Sequence, residues 1–192
     1  MANSKVIIVE GAQGVGKTTI TDYIRHSLKY TNLYRLCGTS DSSPNGLYKS
    51  INMYSNLLNY MQTLENNSIN LLFDRTFFTE ENYSRLGKKD YSFSDSYNIL
   101  LERFSKLDFD IYYITLYLED TSLYSKRLQR ENKAVPEYAQ FNFESSIKQQ
   151  SVYLDMSDEI KKLYPHIHVY NVENGDNINI VQSKLNKILN IV

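Results

Sequence analysis

The sequence predicts an α/β domain of three layers, with about five parallel strands in one sheet covered by helices on both faces. Short runs such as Ile69–Phe73 (INLLF) and Ile111–Leu118 are apolar at almost every position, as expected of strands buried on both sides. Between them lie longer segments whose apolar residues recur every three or four positions, the period of a helix with one buried stripe. The chain has 192 residues, a length that supports one domain with a sizeable core and needs no disulfide or metal staple. Strands and helices that alternate in this way close into a parallel sheet, because right-handed crossovers put helices on either face.

Lys5–Glu10 (KVIIVE) is a β-branched run stopped by Gly11, a strand that leaves its sheet at a glycine. Ile20, Ile24 and Leu28 repeat at four-residue intervals, giving the next helix a stripe to lay on the sheet. Asn32–Cys37 reads as the second strand. Gly38–Gly46 (GTSDSSPNG) has loop chemistry and exceeds an ordinary connection in length. Leu47, Ile51, Tyr54, Leu58 and Met61 keep helical spacing up to the turn-like Asn66-Asn67-Ser68, and the strand INLLF then ends at Asp74. Tyr97, Leu100, Leu101, Phe104 and Leu107 mark a helix before the strand at 111–118. A helix over about 121–129 leads into the charged stretch RENKAVPEYAQ, and a long helix over about 142–163 is stopped by Pro165. His166–Val172 is the last strand, and Ile178, Val181, Leu185, Ile188 and Val192 form the seam of the last helix. No repeat or linker divides the chain, so residues 1–192 are expected to form one domain.

Lys and Arg number 21 against 22 Asp and Glu, a net charge of −1. This supplies no broad basic field for a nucleic-acid backbone or an anionic membrane, so neither is expected as a partner. Cys37 is the only cysteine, which excludes an intrachain disulfide and a Cys-rich metal site. The opening MANSKVIIVE has too few apolar residues for a secretory signal, and no stretch is apolar enough to span a membrane. A cytoplasmic location is expected. His26, His166 and His168 lack metal-ligand spacing and read as structural.

Gly11-Ala-Gln-Gly-Val-Gly16-Lys17-Thr18 satisfies G-x-x-x-x-G-K-[ST] between a strand and a helix. Such a loop wraps nucleotide phosphates in backbone N–H groups at a helix N-terminus. Gly11, Gln13, Gly14, Val15, Gly16, Lys17, Thr18 and Thr19 are the expected ATP-binding residues. The glycines permit the close backbone approach, Lys17 reaches the β- and γ-phosphates, and the Thr18 hydroxyl holds Mg²⁺. The loop is silent about what receives the phosphate.

Asp74-Arg75 stands where the INLLF strand ends, and open α/β sheets bind ligands at the carboxyl ends of their strands. Asp74 is expected to hold Mg²⁺ through water or to bind an acceptor hydroxyl, and Arg75 offers a planar fork for phosphate oxygens. Tyr48, Tyr54, Phe77, Phe78 and Tyr83 are aromatic candidates either for stacking on an acceptor base, with Tyr48 and Tyr54 foremost, or for the core and helix faces. Lys126, Arg127, Arg130 and Lys133 gather around the end of a helix. They read either as a solvated helix terminus or as a lid over about 126–142, with Arg127 and Arg130 closing on the transferred phosphoryl group.

EGAQGVGKTT after the first strand, FDR followed by FFTEENY after the third, and YLEDTSLYSKRLQRE after the fourth resemble the thymidylate kinase and deoxynucleoside kinase superfamily of P-loop nucleotide kinases. The resemblance runs over most of the chain, including the long helix with Tyr153. It implies a parallel sheet ordered 2-3-1-4-5, ATP with Mg²⁺ as donor, a nucleoside or nucleoside monophosphate as acceptor and, commonly, a homodimer. The sequence departs from the thymidylate kinase pattern where Gln13 replaces an acidic residue and where GTSDSSPNG replaces an Arg-Glu-Pro element. It also lacks the loop arginine that some members carry at the place of Gly14, which shifts positive charge to Arg127 and Arg130.

A nucleoside acceptor must lose its hydroxyl proton and benefits from a carboxylate base, whereas a monophosphate needs cations and no base. The resemblance implies a Glu near the end of the second strand in a deoxynucleoside kinase, whereas the only carboxylate near that place here is Asp41, the residue on which the choice turns. The sequence therefore favours a monophosphate acceptor, with a deoxynucleoside kinase, a non-enzymatic ATP-binding switch and a small-metabolite kinase as alternatives.

Overall fold

The β-branched run at the start of the chain forms β1 (Lys5–Gly11), the central strand of a five-stranded parallel sheet. The computed structural model describes residues 4–129 and 142–191. The other strands are β2 (Thr31–Arg35), β3 (Asn70–Asp74), β4 (Asp110–Tyr117) and β5 (His168–Glu173), and the order across the sheet is β2-β3-β1-β4-β5. Val9 stands in register with Asp74 on one side, and Gly11 with Leu116 on the other.

Side chains of successive strand residues point to opposite faces, so β1 serves two cores at once. Val6 and Ile8 join Leu71, Phe73, Ile111 and Tyr113 beneath α2 (Pro44–Thr63), α3 (Phe77–Arg85), α4 (Ser94–Ser105) and α6 (Phe143–Leu163). Ile7 and Val9 join Leu72, Ile114, Leu116 and Val172 beneath α1 (Lys17–Ser27), α5 (Leu123–Gln129) and α7 (Ile178–Leu189). The three predicted layers follow directly from this alternation.

The helix α3 has no counterpart in the periodicity of the sequence. Thr79, Glu80, Glu81 and Asn82 occupy buried positions on it, so polar residues fill places that an apolar stripe would have marked. The loop expected over 38–46 is shorter than its composition suggests, because Pro44 opens α2 and proline is well suited to a first helical turn. No helix among the described residues is long and apolar enough to cross a membrane.

From β1 the chain crosses to β2 and returns through β3, then passes to β4 on the other side of β1. The order therefore reverses at β1, and ligand crevices of open α/β sheets form at the carboxyl ends of strands beside such a switch.

Candidate functional site

Gly16 adopts φ 96° as the N-cap of α1, a left-handed conformation that side-chain-bearing residues rarely take. A Cβ there would stand 2.6 Å from Asn174 Nδ2. The tight turn delivers Lys17, Thr18 and Thr19 to the first turn of α1, where N–H groups have no partner within the helix and the dipole favours an anion. Lys17 is buried, and its Nζ donates to the carbonyls of Gly11 at 2.7 Å and Ala12 at 2.9 Å.

A cavity of about 300 Å³ opens over this loop, lined by Gly14, Gly16, Lys17, Thr18 and Thr19 together with Arg35, Leu36, Asp74 and Arg75. The loop and the Asp-Arg pair, 57 positions apart between Lys17 and Asp74, thus share one wall. Among the described residues no cluster of three or more His, Cys, Asp or Glu could hold a metal. A Mg²⁺ bound with a nucleotide needs only one or two protein oxygens, and the Thr18 hydroxyl and Asp74 carboxylate on the cavity wall are donors of that class.

Arg35 is a site residue that the sequence did not single out. It ends β2 in the unremarkable string TNLYR, and register alone sets it opposite Asp74. Its Nη2 donates to Asp22 at 2.6 Å, and its Nε lies 3.7 Å from Asp74 Oδ2. The cavity wall therefore carries three cations, Lys17, Arg35 and Arg75, and one carboxylate, Asp74. Arg75 has φ 73°, and although burial opposes it, neighbouring acidic groups, Asp74 and Glu10 among them, push its pKa up.

Arg127 is engaged away from the cavity wall. Its guanidinium donates to the carbonyls of Val15 at 3.0 Å, Asn174 at 2.9 Å and Gly175 at 3.2 Å. Asn174 Nδ2 donates to the same Val15 carbonyl at 2.6 Å. In this geometry Arg127 braces the loop from behind, with both terminal guanidinium nitrogens donating to backbone carbonyls. Arg130 and most of the expected lid lie outside the described residues.

The remaining loop residues have identifiable contacts. The Gln13 backbone N–H donates to Gln149 Oε1 at 2.8 Å, so α6 holds the loop through a residue that its polar character concealed in the sequence. Val15 is fully buried in the α1 face of the core. The aromatic candidates do not reach the cavity wall. Tyr48 is 71% exposed on α2, whereas Tyr54 is fully buried with its ring edge-on to Phe77 and Phe93. Tyr54 faces are thereby taken up by the core.

Asp41, the sole candidate for a base near β2, is held by its own surroundings. Lys49 and Ser43 donate to its carboxylate, and these bonds lower its pKa to about 2. Beside it, Glu80 of α3 is fully buried, accepts from Thr39 N at 3.0 Å and Tyr91 OH at 2.5 Å, and pairs with Lys89 at 2.9 Å. This buried carboxylate ties the β2–α2 loop to the α3–α4 loop.

No protein-family model matches the chain, and no curated protein matches it in sequence. Solved structures do. The chain is similar to thymidylate kinase from Candida albicans, with 21% identity, a TM-score of 0.63 and coverage of 99% of this chain and 92% of that one. It is also similar to deoxyadenosine kinase from M. mycoides with bound dCTP, with 20% identity, a TM-score of 0.60 and coverage of 98% and 100%. The same enzyme with the products dCMP and dCDP gives 18% identity and a TM-score of 0.56 over 97% and 98%. At such identities the likeness establishes the fold, and the chain has the P-loop kinase fold of these structures in its five-stranded order and its helices.

Proposed function

We propose that the protein is an ATP-dependent kinase of nucleoside monophosphates, similar to thymidylate kinase in its chemistry. The observation that carries this reading is the shared cavity wall, where Arg35 and Arg75 line the same cavity as the phosphate-binding loop. Two guanidinium groups suit an acceptor that arrives already charged, because two phosphate groups must be brought together against their repulsion.

In this reading the loop Gly11–Thr18 and Thr19 bind the β- and γ-phosphates of ATP, with Lys17 exchanging its two carbonyl partners for phosphate oxygens. Thr18 and, through water, Asp74 would hold Mg²⁺, which would supply positive charge to the phosphates. An acceptor phosphate oxygen forms the new bond to the γ-phosphorus, and the bond from that phosphorus to the bridging oxygen breaks with its electrons leaving on ADP. Arg75 meets the charge that spreads over the equatorial oxygens, while Arg35, anchored by Asp22 on α1, holds the acceptor phosphate. No base is required.

The state of Asp41 supports the same choice, since a carboxylate ionised down to about pH 2 and bonded to Lys49 is a poor acceptor for a hydroxyl proton. A deoxynucleoside kinase is the second reading, favoured by the likeness to deoxyadenosine kinase and by the Asp74 carboxylate on the cavity wall. One experiment separates them: incubation with Mg²⁺-ATP and a panel of common nucleosides and nucleoside monophosphates, followed by chromatography of the products. Diphosphate formed from at least one deoxynucleoside monophosphate, thymidine monophosphate first among them, is expected. Monophosphate formed from nucleosides alone would establish the second reading, and ATP binding with no transfer would favour a nucleotide-operated switch.

A further inference from the structure

Glu10 is the penultimate residue of β1, immediately before Gly11 where the phosphate-binding loop begins, and its side chain is fully buried. Its Oε1 accepts from the backbone N–H of Thr76 at 2.8 Å and lies 3.4 Å from Thr76 Oγ1. Its Oε2 accepts from Thr79 Oγ1 at 2.8 Å, and that hydroxyl stands 3.1 Å from Tyr153 OH on α6. Thr76 is the N-cap of α3, yet its own side chain makes no capping bond. The carboxylate from β1 accepts instead from the N-cap residue's own backbone N–H, at a helix end where negative charge is favoured.

The residue immediately before this bond is Arg75, in the left-handed region with φ 73°. For a residue with a Cβ this conformation costs about 1–2 kcal/mol and persists only where its surroundings enforce it. Both peptide N–H groups that flank Arg75 Cα are anchored to β1, that of Arg75 on Val9 O at 3.2 Å and that of Thr76 on Glu10. A strained backbone thus carries a guanidinium to the cavity wall, and Glu10 supplies one of its two anchors.

We infer that Glu10 is a positioning residue, whose buried carboxylate fixes the conformation of Arg75 and so sets the guanidinium for phosphate transfer. This rests on the reading that Arg75 meets a phosphate. The charged groups around Glu10 are Lys17 of α1 and Arg75 itself, and both stabilise its ionised form. The titratable groups facing it are Tyr54, Tyr97, Tyr113 and Tyr153, from α2, α4, β4 and α6. Burial pushes the pKa of each phenol up, so all four stay neutral near pH 7 while Glu10, raised by burial to about 7, exchanges its proton there.

The test uses Glu10→Gln, which keeps size and one acceptor, and Thr79→Val, which removes the donor to Oε2 together with the contact to Tyr153 OH. Proton–nitrogen spectra report the Arg75 Nε–H resonance, identified by its loss in Arg75→Lys. In the wild type that resonance is expected to shift with a midpoint near pH 7, and in Glu10→Gln to be displaced and insensitive to pH. Turnover with the best acceptor of the wild type should fall about tenfold or more in kcat in Glu10→Gln, about threefold in Thr79→Val, and KM for ATP should stay within about twofold. An unmoved Arg75 resonance with wild-type kcat in Glu10→Gln overturns the inference, whatever happens to the melting temperature. Should the wild type transfer phosphate to no monophosphate, the proposed function fails separately, and the resonance still decides the role of Glu10.

Discussion

Asn174 Nδ2 lies 2.6 Å from the Val15 carbonyl, so the end of β5 is fastened to the back of the phosphate-binding loop. The same carbonyl receives Arg127 at 3.0 Å, and the space that a Cβ on Gly16 would need is already filled by the Asn174 amide. The cradle is therefore built from both sides, its open face toward the cavity and its rear face toward β5 and α5.

Removing that rear support should loosen the loop more than it alters the chemistry. Asn174→Ala and Arg127→Ala are each expected to lower stability by about 1–3 kcal/mol, because buried carbonyls lose their donors. ATP affinity should fall with them while kcat at saturating ATP changes less. Thermal melts and nucleotide titrations check this, and a large kcat loss in Arg127→Ala at unchanged stability would return Arg127 to the phosphoryl group.

The two arginines of the cavity wall should separate by kinetic signature. Arg35→Ala removes a charge-assisted contact to the acceptor and should raise its KM by roughly 10–100-fold. Arg75→Ala should act on kcat, since the charge it meets is largest during transfer. Steady-state kinetics with the acceptor varied at fixed Mg²⁺-ATP distinguish these outcomes, and identical effects from both variants would contradict the division of roles.

Much of this architecture is legible in the sequence because it rests on local patterns. The apolar runs, the four-residue spacing of Ile20, Ile24 and Leu28, and the glycine-lysine loop each announce an element within a dozen residues. Arg35 is different, for its place beside Asp74 comes from strand pairing across 39 positions. The helix α3 hides because its buried face holds Thr79, Glu80, Glu81 and Asn82; Thr79, Glu80 and Asn82 are bonded to residues far along the chain, and Glu81 pairs with Arg85 one turn on. Tyr54 misleads in the opposite sense, since an aromatic residue near a site and one in the core look alike in sequence.

Tyr54 supplies a stability prediction. Its hydroxyl is buried and finds no partner among the described residues, and an unsatisfied buried hydroxyl opposes folding. Tyr54→Phe should raise stability by about 1 kcal/mol and leave the acceptor KM unchanged. Chemical denaturation measures the first, and a rise in KM would restore Tyr54 to the acceptor site.

Glu10 gives the stability a pH dependence of definite sign. Its pKa rises from 4.5 in the unfolded chain to about 7 in the fold, so the folded state holds the extra proton between these values. The stabilisation tied to that proton is fully present below pH 4.5 and is lost as pH rises through about 7. Relative to Glu10→Gln, the wild type should thus lose on the order of 3 kcal/mol between pH 4.5 and 7. Paired denaturation curves across this window test it, and parallel curves would refute it.

Arg35 and Arg75, which line the cavity with the phosphate-binding loop, are proposed to receive an acceptor that already carries a phosphate. The most direct measurement is the ratio of kcat/KM for a deoxynucleoside monophosphate to that for the matching nucleoside, with Mg²⁺-ATP saturating and Lys17→Ala as the inactive control. The account predicts a ratio of about 100 or more, in keeping with the loss of a charge-assisted contact to each guanidinium when the phosphate is absent. A ratio below one, with activity that survives in Arg35→Ala, would contradict it.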